Sequence, residues 1–160
     1  MTVHAPLGRR MGPFVVMATG GALMVLGSFL PWVRTGSRSR NSYDVFRVVG
    51  RLGFAPEGPA ATALRWWPLI PLLTVVAVVA VWWGWGRPGG VLGIVAAVYA
   101  GIIGAAVAAA PQAGLLDIGA GPILTATGGV VLLGGAVAAT IVGRGQARPA
   151  TPVTATDRGA

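Results

Sequence analysis

Cysteine and lysine are absent from this chain of 160 residues, histidine occurs once, and only four residues are acidic. Without cysteine the chain has no disulfide, no thiolate metal ligand and no thiol redox chemistry. The one histidine, His4, lies near the start of the chain, and no two carboxylates are close in sequence. Because catalysis needs positioned acids, bases, nucleophiles or metal ions, we predict no catalytic residues, no cofactor and no metal site.

Charged residues are scarce, at 10% of the chain, whereas a soluble domain carries about 25%. All twelve basic residues are arginine, and the formal net charge is +8. The charges leave four uncharged stretches, each at least 21 residues long: 11–33, 66–86, 88–116 and 118–143. Since roughly 20 apolar residues cross about 30 Å of hydrocarbon as a helix, each stretch is long enough to span a membrane.

The pattern predicts an all-α membrane protein, a bundle of four transmembrane helices within residues 13–143. The spans are expected at about 13–33, 66–86, 91–110 and 121–143. Residues 1–12 and 144–160 are the two termini, the second a disordered tail without apolar periodicity, and residues 34–65 form the first connection. The alternative is a soluble bundle with four fully buried helices, but a chain of this length has too much surface for that.

Tryptophans mark the ends of the first two spans: Trp32 follows span one, Trp66 and Trp67 begin span two, and Trp82, Trp83 and Trp85 end it. Tryptophan is enriched at membrane–water interfaces, so we place Trp32 at headgroup depth and interpret the five tryptophans of span two as anchors rather than as an aromatic cage for a ligand. Ser28 and the threonines in the spans have no neighbouring base, and we expect their hydroxyls to bond helix carbonyls.

Small residues recur every four positions in span three, at Gly93, Ala97 and Gly101, and span four contains Gly128 and Gly129. In lipid, small residues let helix backbones approach closely. We expect spans three and four to form the tight part of the bundle and to cross at Gly101 and Gly129, so that Gly101→Leu disrupts assembly. A homodimer face is the alternative interpretation of this pattern.

The connection 34–65 holds six of the twelve arginines and two of the four acids. Asn41 is a favoured helix N-cap, and apolar and charged residues then recur on opposite sides of residues 42–52. We predict a short amphipathic helix on the outer membrane surface, near anionic headgroups. An irregular loop is the alternative, because short helices are marginal. The expected interaction surface comprises Trp32, Arg40, Asp44, Phe46, Arg47 and Arg51.

The segment Gly27-Ser28-Phe29-Leu30-Pro31-Trp32 precedes a polar connection and three further spans. This arrangement resembles small uncharacterised four-span membrane proteins of actinobacteria that carry a G-x-F-L-P-W motif. Their fourth helix often opens with a glycine-rich segment similar to Gly119-Ala120-Gly121-Pro122. The resemblance implies the four-span architecture and a first connection on the outer face, and it supplies no catalytic residues.

These features favour a non-enzymatic accessory or scaffold protein of the cytoplasmic membrane that binds another membrane protein or a second copy of itself. The alternative is a small oligomeric permease or lipid-handling protein, with an intramembrane transferase third. Charges inside a membrane usually mark ion or proton pathways, and the predicted spans have none. Nucleic acid is not expected as a partner, because no basic patch is interleaved with aromatics outside the spans.

Four spans place both termini on one side of the membrane, and we predict that side to be the cytoplasm. Each side carries six arginines, but the terminal side is shorter, so its arginine density is higher. The resemblance implies the same orientation. A reporter that is active only in the periplasm should be silent when fused after Ala160, and strong activity there would reverse the topology.

Overall fold

The computed structural model describes residues 8–35, 38–51, 65–110 and 116–145. Its elements in chain order are α1 (Gly8–Phe29), β1 (Val33–Thr35), β2 (Arg38–Arg40), α2 (Ser42–Arg51), a 3-10 turn (Trp67–Leu69), α3 (Ile70–Trp82), α4 (Gly86–Ala108), β3 (Leu116–Ile118) and α5 (Ala120–Gly145). Helix α5 continues two residues beyond the predicted end of span four. The rest of the predicted disordered tail, from residue 146, lies outside the described residues, as do residues 1–7.

Three helical segments are long and apolar enough to cross a membrane: Met11–Phe29, Gly86–Ala108 and Ala120–Gly143. A fourth apolar segment, Trp67–Trp82, is shorter and rises about 24 Å. The interior is built largely from small residues such as Ala77, Ala96 and Ala136, whereas large aliphatic side chains are exposed. In a soluble protein the large aliphatic side chains are buried, whereas here they face outward, where lipid can surround them. The chain is therefore a membrane protein.

Helix α5 packs along both α1 and α4, while α3 packs mainly on α4 and touches α1. The turn between α3 and α4, the start of α1 and the end of α5 meet at one end, where Pro13, Gly84 and Val142 line one depression. We call this the hairpin end. The opposite end carries β1, β2, β3 and α2, and we call it the sheet end.

The turn between α3 and α4 lies at Trp83–Trp85, so α4 begins at Gly86, five residues before the predicted start of span three. Gly84 has a φ of 90°, a backbone conformation that favours glycine. The N–H of Gly84 donates to the carbonyl of Val81 (3.0 Å) and that of Trp85 to the carbonyl of Ala80 (2.8 Å). These two bonds form a Schellman motif, which ends α3.

The structure is mostly helical, as predicted, but the sheet end also contains three short strands that the all-α prediction did not include. Strand β1 pairs antiparallel with β2 on one side and β3 on the other. Val33 thereby faces Arg40 in one ladder and Ile118 in the other. Each strand has only three residues, which is too short for a detectable alternation of apolar and polar positions. The sheet ties the first connection to the segment that precedes α5.

The closest backbone approach between helices is that of α1 to α5. Spans three and four had been predicted to be the tightest pair. A Cβ added at Gly135 would lie 2.6 Å from the backbone nitrogen of Met17, and one at Gly128 would lie 2.5 Å from that of Met24. A real Cβ could not occupy either position, because these distances are far below van der Waals contact. The absence of a side chain at both glycines therefore allows the two helix backbones to come into contact. Gly128, predicted to pack between spans three and four, therefore packs on α1.

The predicted crossing of Gly101 with Gly129 is present between α4 and α5. A Cβ at Gly129 would lie 3.1 Å from the Cα of Gly101 and from the carbonyl oxygen of Ala97. A Cβ at Gly101, however, would meet nothing within 4 Å, so the reason for expecting Gly101→Leu to disrupt assembly does not hold. Gly93 also packs tightly, since its added Cβ would lie 2.7 Å from the Cε of Met17.

Neighbouring glycines on α5 allow a matched test of the α1–α5 contact. Gly135→Ala should lower the free energy of unfolding by about 1–3 kcal/mol, because the new methyl group collides with the Met17 backbone. Gly134→Ala should leave it unchanged or raise it by up to about 1 kcal/mol, because that site is open and alanine favours helix. Thermal unfolding in mild detergent, followed by circular dichroism, measures both. Equal midpoints for the two variants would contradict the contact.

Candidate functional site

Three aromatic side chains, Trp32, Phe46 and Trp67, pack edge to face at the sheet end, and we call them the aromatic cluster. Their ring centroids are 5.2–5.6 Å apart, with interplanar angles of 73–75°. Trp32 and Trp67 are 0% and 1% exposed, and Phe46 is half-buried. Edge-to-face packing matches the electropositive ring edge to the electronegative ring face. The cluster joins three segments that are distant in sequence.

Three hydrogen bonds hold Trp32 in place. Its Nε1 donates to the carbonyl of Gly27 (2.9 Å), its backbone N–H donates to Arg40 (2.8 Å), and its carbonyl accepts from Gly119 (3.0 Å). Trp32, predicted to belong to an interaction surface, is therefore buried, and so is Trp67, which was predicted to be an interfacial anchor. The other four tryptophans, Trp66, Trp82, Trp83 and Trp85, are more than half exposed, as anchors would be.

A chain of buried hydrogen bonds fixes the start of α2. The Nε1 of Trp67 donates to the Oγ of Ser42 (3.1 Å), which donates in turn to the carbonyl of Ser28 (2.6 Å). The Ser28 hydroxyl donates to the Val25 carbonyl (2.7 Å), as expected for a serine in a span. Hydrogen bonds strengthen where water is excluded. Sequence reasoning missed Ser42, because nothing in its neighbourhood indicates that it meets a distant tryptophan.

The segment that ends at Trp32 and the glycine-rich segment 119–122 contact each other. Gly119 donates its N–H to Trp32, and Gly121 donates to the carbonyl of Pro31 (3.1 Å). A Cβ at Gly121 would lie 2.7 Å from the Trp32 Nε1. The glycines before α5 thus leave the space into which the Trp32 indole packs.

Helix α2 begins one residue after Asn41, whose Oδ1 accepts the N–H of Asp44 (3.0 Å), as the N-cap prediction requires. Its bounds, Ser42–Arg51, agree with the predicted 42–52 except for Leu52, which lies outside the described residues. The apolar side of α2 packs on the protein, since Phe46 belongs to the aromatic cluster and the Tyr43 ring lies 5.3 Å from that of Phe29.

Six residues were predicted to form one interaction surface, and the structure divides them. Trp32 is buried and Phe46 is half-buried inside the aromatic cluster. Arg40 is partly exposed in β2, and three charged residues of α2 are exposed: Asp44, Arg47 and Arg51. The accessible part of the predicted surface is therefore charged.

Among the described residues, no group of three His, Cys, Asp or Glu side chains could hold a metal ion. The buried hydroxyls of Ser28, Ser42 and Thr74 donate to backbone carbonyls. No protein-family model, curated protein or solved structure matches the chain.

Removing the Ser42 hydroxyl should destabilise the sheet end. In Ser42→Ala the indole N–H of Trp67 is left buried without its acceptor, at a cost of about 1–3 kcal/mol. The matched control is Ser39→Ala in β2, where the side chain is exposed and the expected change is close to zero. Thermal unfolding in detergent compares the two variants. If Ser42→Ala unfolds with the wild type, the hydrogen bonds do not hold α2 in place.

Proposed function

We propose that this chain is a non-enzymatic accessory or scaffold subunit of the cytoplasmic membrane, which binds another membrane protein through the exposed charged side of α2. The observation that carries the proposal is the attachment of α2 to the bundle. Phe46 packs against both Trp32 and Trp67, and Ser42 is hydrogen-bonded to both Ser28 and Trp67. A surface held in one conformation loses little conformational entropy on binding, which favours recognition of a partner.

The proposal includes four spans, with Trp67–Trp82 as the second. This segment carries no charge, and Trp66 and Trp82, at its two ends, are both exposed. Its rise of about 24 Å is shorter than the average hydrocarbon thickness, and a bilayer accommodates a short span by local thinning. With four spans and cytoplasmic termini, the sheet end and α2 lie on the outer face of the membrane.

A permease is less well supported by the interior of the bundle. Transport of a polar solute requires a polar passage, but the described helices meet through glycine and alanine. At mid-bundle, Gly93 of α4 packs against both Met17 of α1 and Ala136 of α5. Side chains and backbone thus fill this part of the bundle. A filled interior favours a scaffold over a permease, which needs an open passage.

Charge reversal on α2 tests the proposal. We expect a membrane protein to co-purify in mild detergent with the wild type at fixed stoichiometry. The double variant Asp44→Arg, Arg51→Glu should reduce its recovery about tenfold or more, because opposed charges at an interface become like charges. Two differently tagged copies expressed together determine whether the partner is a second copy of this chain.

The matched control is Arg87→Glu, which changes charge at the hairpin end, near Gly143. This variant should retain the partner, because the altered residue is distant from α2. Retention of the partner by the α2 double variant would place binding on another surface. The absence of any stoichiometric partner from wild-type preparations would contradict the proposed function.

A further inference from the structure

A groove with a volume of about 420 Å³ runs between α3 and α4, beginning near the sheet end. Trp66 lines the groove at its sheet end, and Leu73, Val76 and Val95 line the part that is nearer the hairpin end. Among the described side chains that line the groove, the polar groups are the hydroxyl of Tyr99 and the indole N–H of Trp66, and the others are apolar. Leu69 and Val76 are seven positions apart, so the groove extends about 10 Å along α3. That length is about a third of a hydrocarbon core of about 30 Å.

A second depression of about 260 Å³ lies between α2 and the 3-10 turn. Tyr43, Phe46, Trp67 and Pro68 line it, and among the described lining residues Arg47 is the one that carries a charge. Both depressions border the turn Trp67–Leu69. Pro68 in this depression and Leu69 in the groove are consecutive residues of the 3-10 turn, so the two depressions adjoin at the start of α3. The arginine therefore lies next to the sheet end of the apolar groove.

We propose that these two depressions form one binding site for an anionic phospholipid, with its phosphate at Arg47 and an acyl chain along the groove. A guanidinium binds phosphate oxygens through two parallel hydrogen bonds, which are stronger than bonds between neutral groups. An acyl chain needs no hydrogen bond from the apolar lining below. The order of the site, with cation at the top, indole at the interface and aliphatic side chains beneath, matches the order of groups in a phospholipid.

A second copy of this chain fits the same groove less well. In a two-fold dimer the same patch faces itself, so two Arg47 side chains would share one interface and repel each other. A transmembrane helix from a partner would fill the apolar groove but would leave the cation unexplained. The lipid site does not depend on the proposed partner surface, which is tested through Asp44 and Arg51.

Quenching of Trp66 fluorescence by brominated acyl chains tests the site. The protein is placed in phosphatidylcholine nanodiscs that contain a minor fraction of phosphatidylglycerol, with bromine on the chains of one lipid or the other at equal amounts. The Trp66 signal is the difference between the wild type and Trp66→Phe. One arginine near the headgroups should enrich the anionic lipid about fivefold, so brominated phosphatidylglycerol should quench Trp66 more strongly.

Two pairs of variants separate the headgroup contact from the chain contact. Arg47→Gln should reduce quenching to the phosphatidylcholine level, whereas Arg87→Gln at the hairpin end should not change it. Val95→Phe narrows the groove and should reduce quenching by both lipids, while Val91→Phe, equally exposed on α4 but outside the groove lining, should not.

Equal quenching by the two lipids in the wild type, or unchanged quenching in Arg47→Gln, would overturn the lipid site. So would a dimer in detergent that dissociates in Val95→Phe, because the groove would then hold a second copy. A stoichiometric partner protein that is lost in Val95→Phe but retained by the α2 charge reversal would assign the groove to a partner helix and also overturn the lipid site.

Discussion

Trp32 contacts α1, β2, α2, the 3-10 turn and the segment before α5, and the arrangement of the sheet end depends on its burial. Its indole donates to the last turns of α1, its backbone pairs with β2 and with the segment before α5, and its ring packs on Phe46 and Trp67. An indole packed among protein groups needs a partner for its N–H, and the Gly27 carbonyl provides it. Without this residue, α2 and the sheet would lose their common contact with the bundle.

Close backbone packing within the bundle complements this polar and aromatic end. In lipid, apolar side chains gain little by turning inward, so stability depends on van der Waals contact between surfaces that fit. Glycines such as Gly128 and Gly135 let α5 approach α1 at backbone distance, and Gly129 does the same toward α4. Large aliphatic residues are left outside, where acyl chains surround them. A bundle packed in this way is a rigid base for α2.

The two proposed binding activities use neighbouring residues on the charged side of one helix. Asp44 and Arg51 are exposed and assigned to a partner protein, whereas Arg47 lines the depression that also contains Pro68, next to the apolar groove. Both depend on α2 being held by the aromatic cluster, because a detached helix would display neither surface in a fixed position. A lipid bound at Arg47 would lie next to the partner surface and could contribute to it.

The sequence by itself determined the apolar segments, the small-residue packing faces and the N-cap of α2, because each follows from the order of apolar, small and polar residues along one stretch of chain. It also predicted that Gly101 and Gly129 would meet. Only the tertiary structure decided that Trp32 and Trp67 are buried, that the crowded glycine is Gly129 rather than Gly101, and that three short strands join segments far apart in the chain. These features depend on contacts between residues distant in sequence, such as Ser42 with Trp67, and local periodicity carries no information about such contacts.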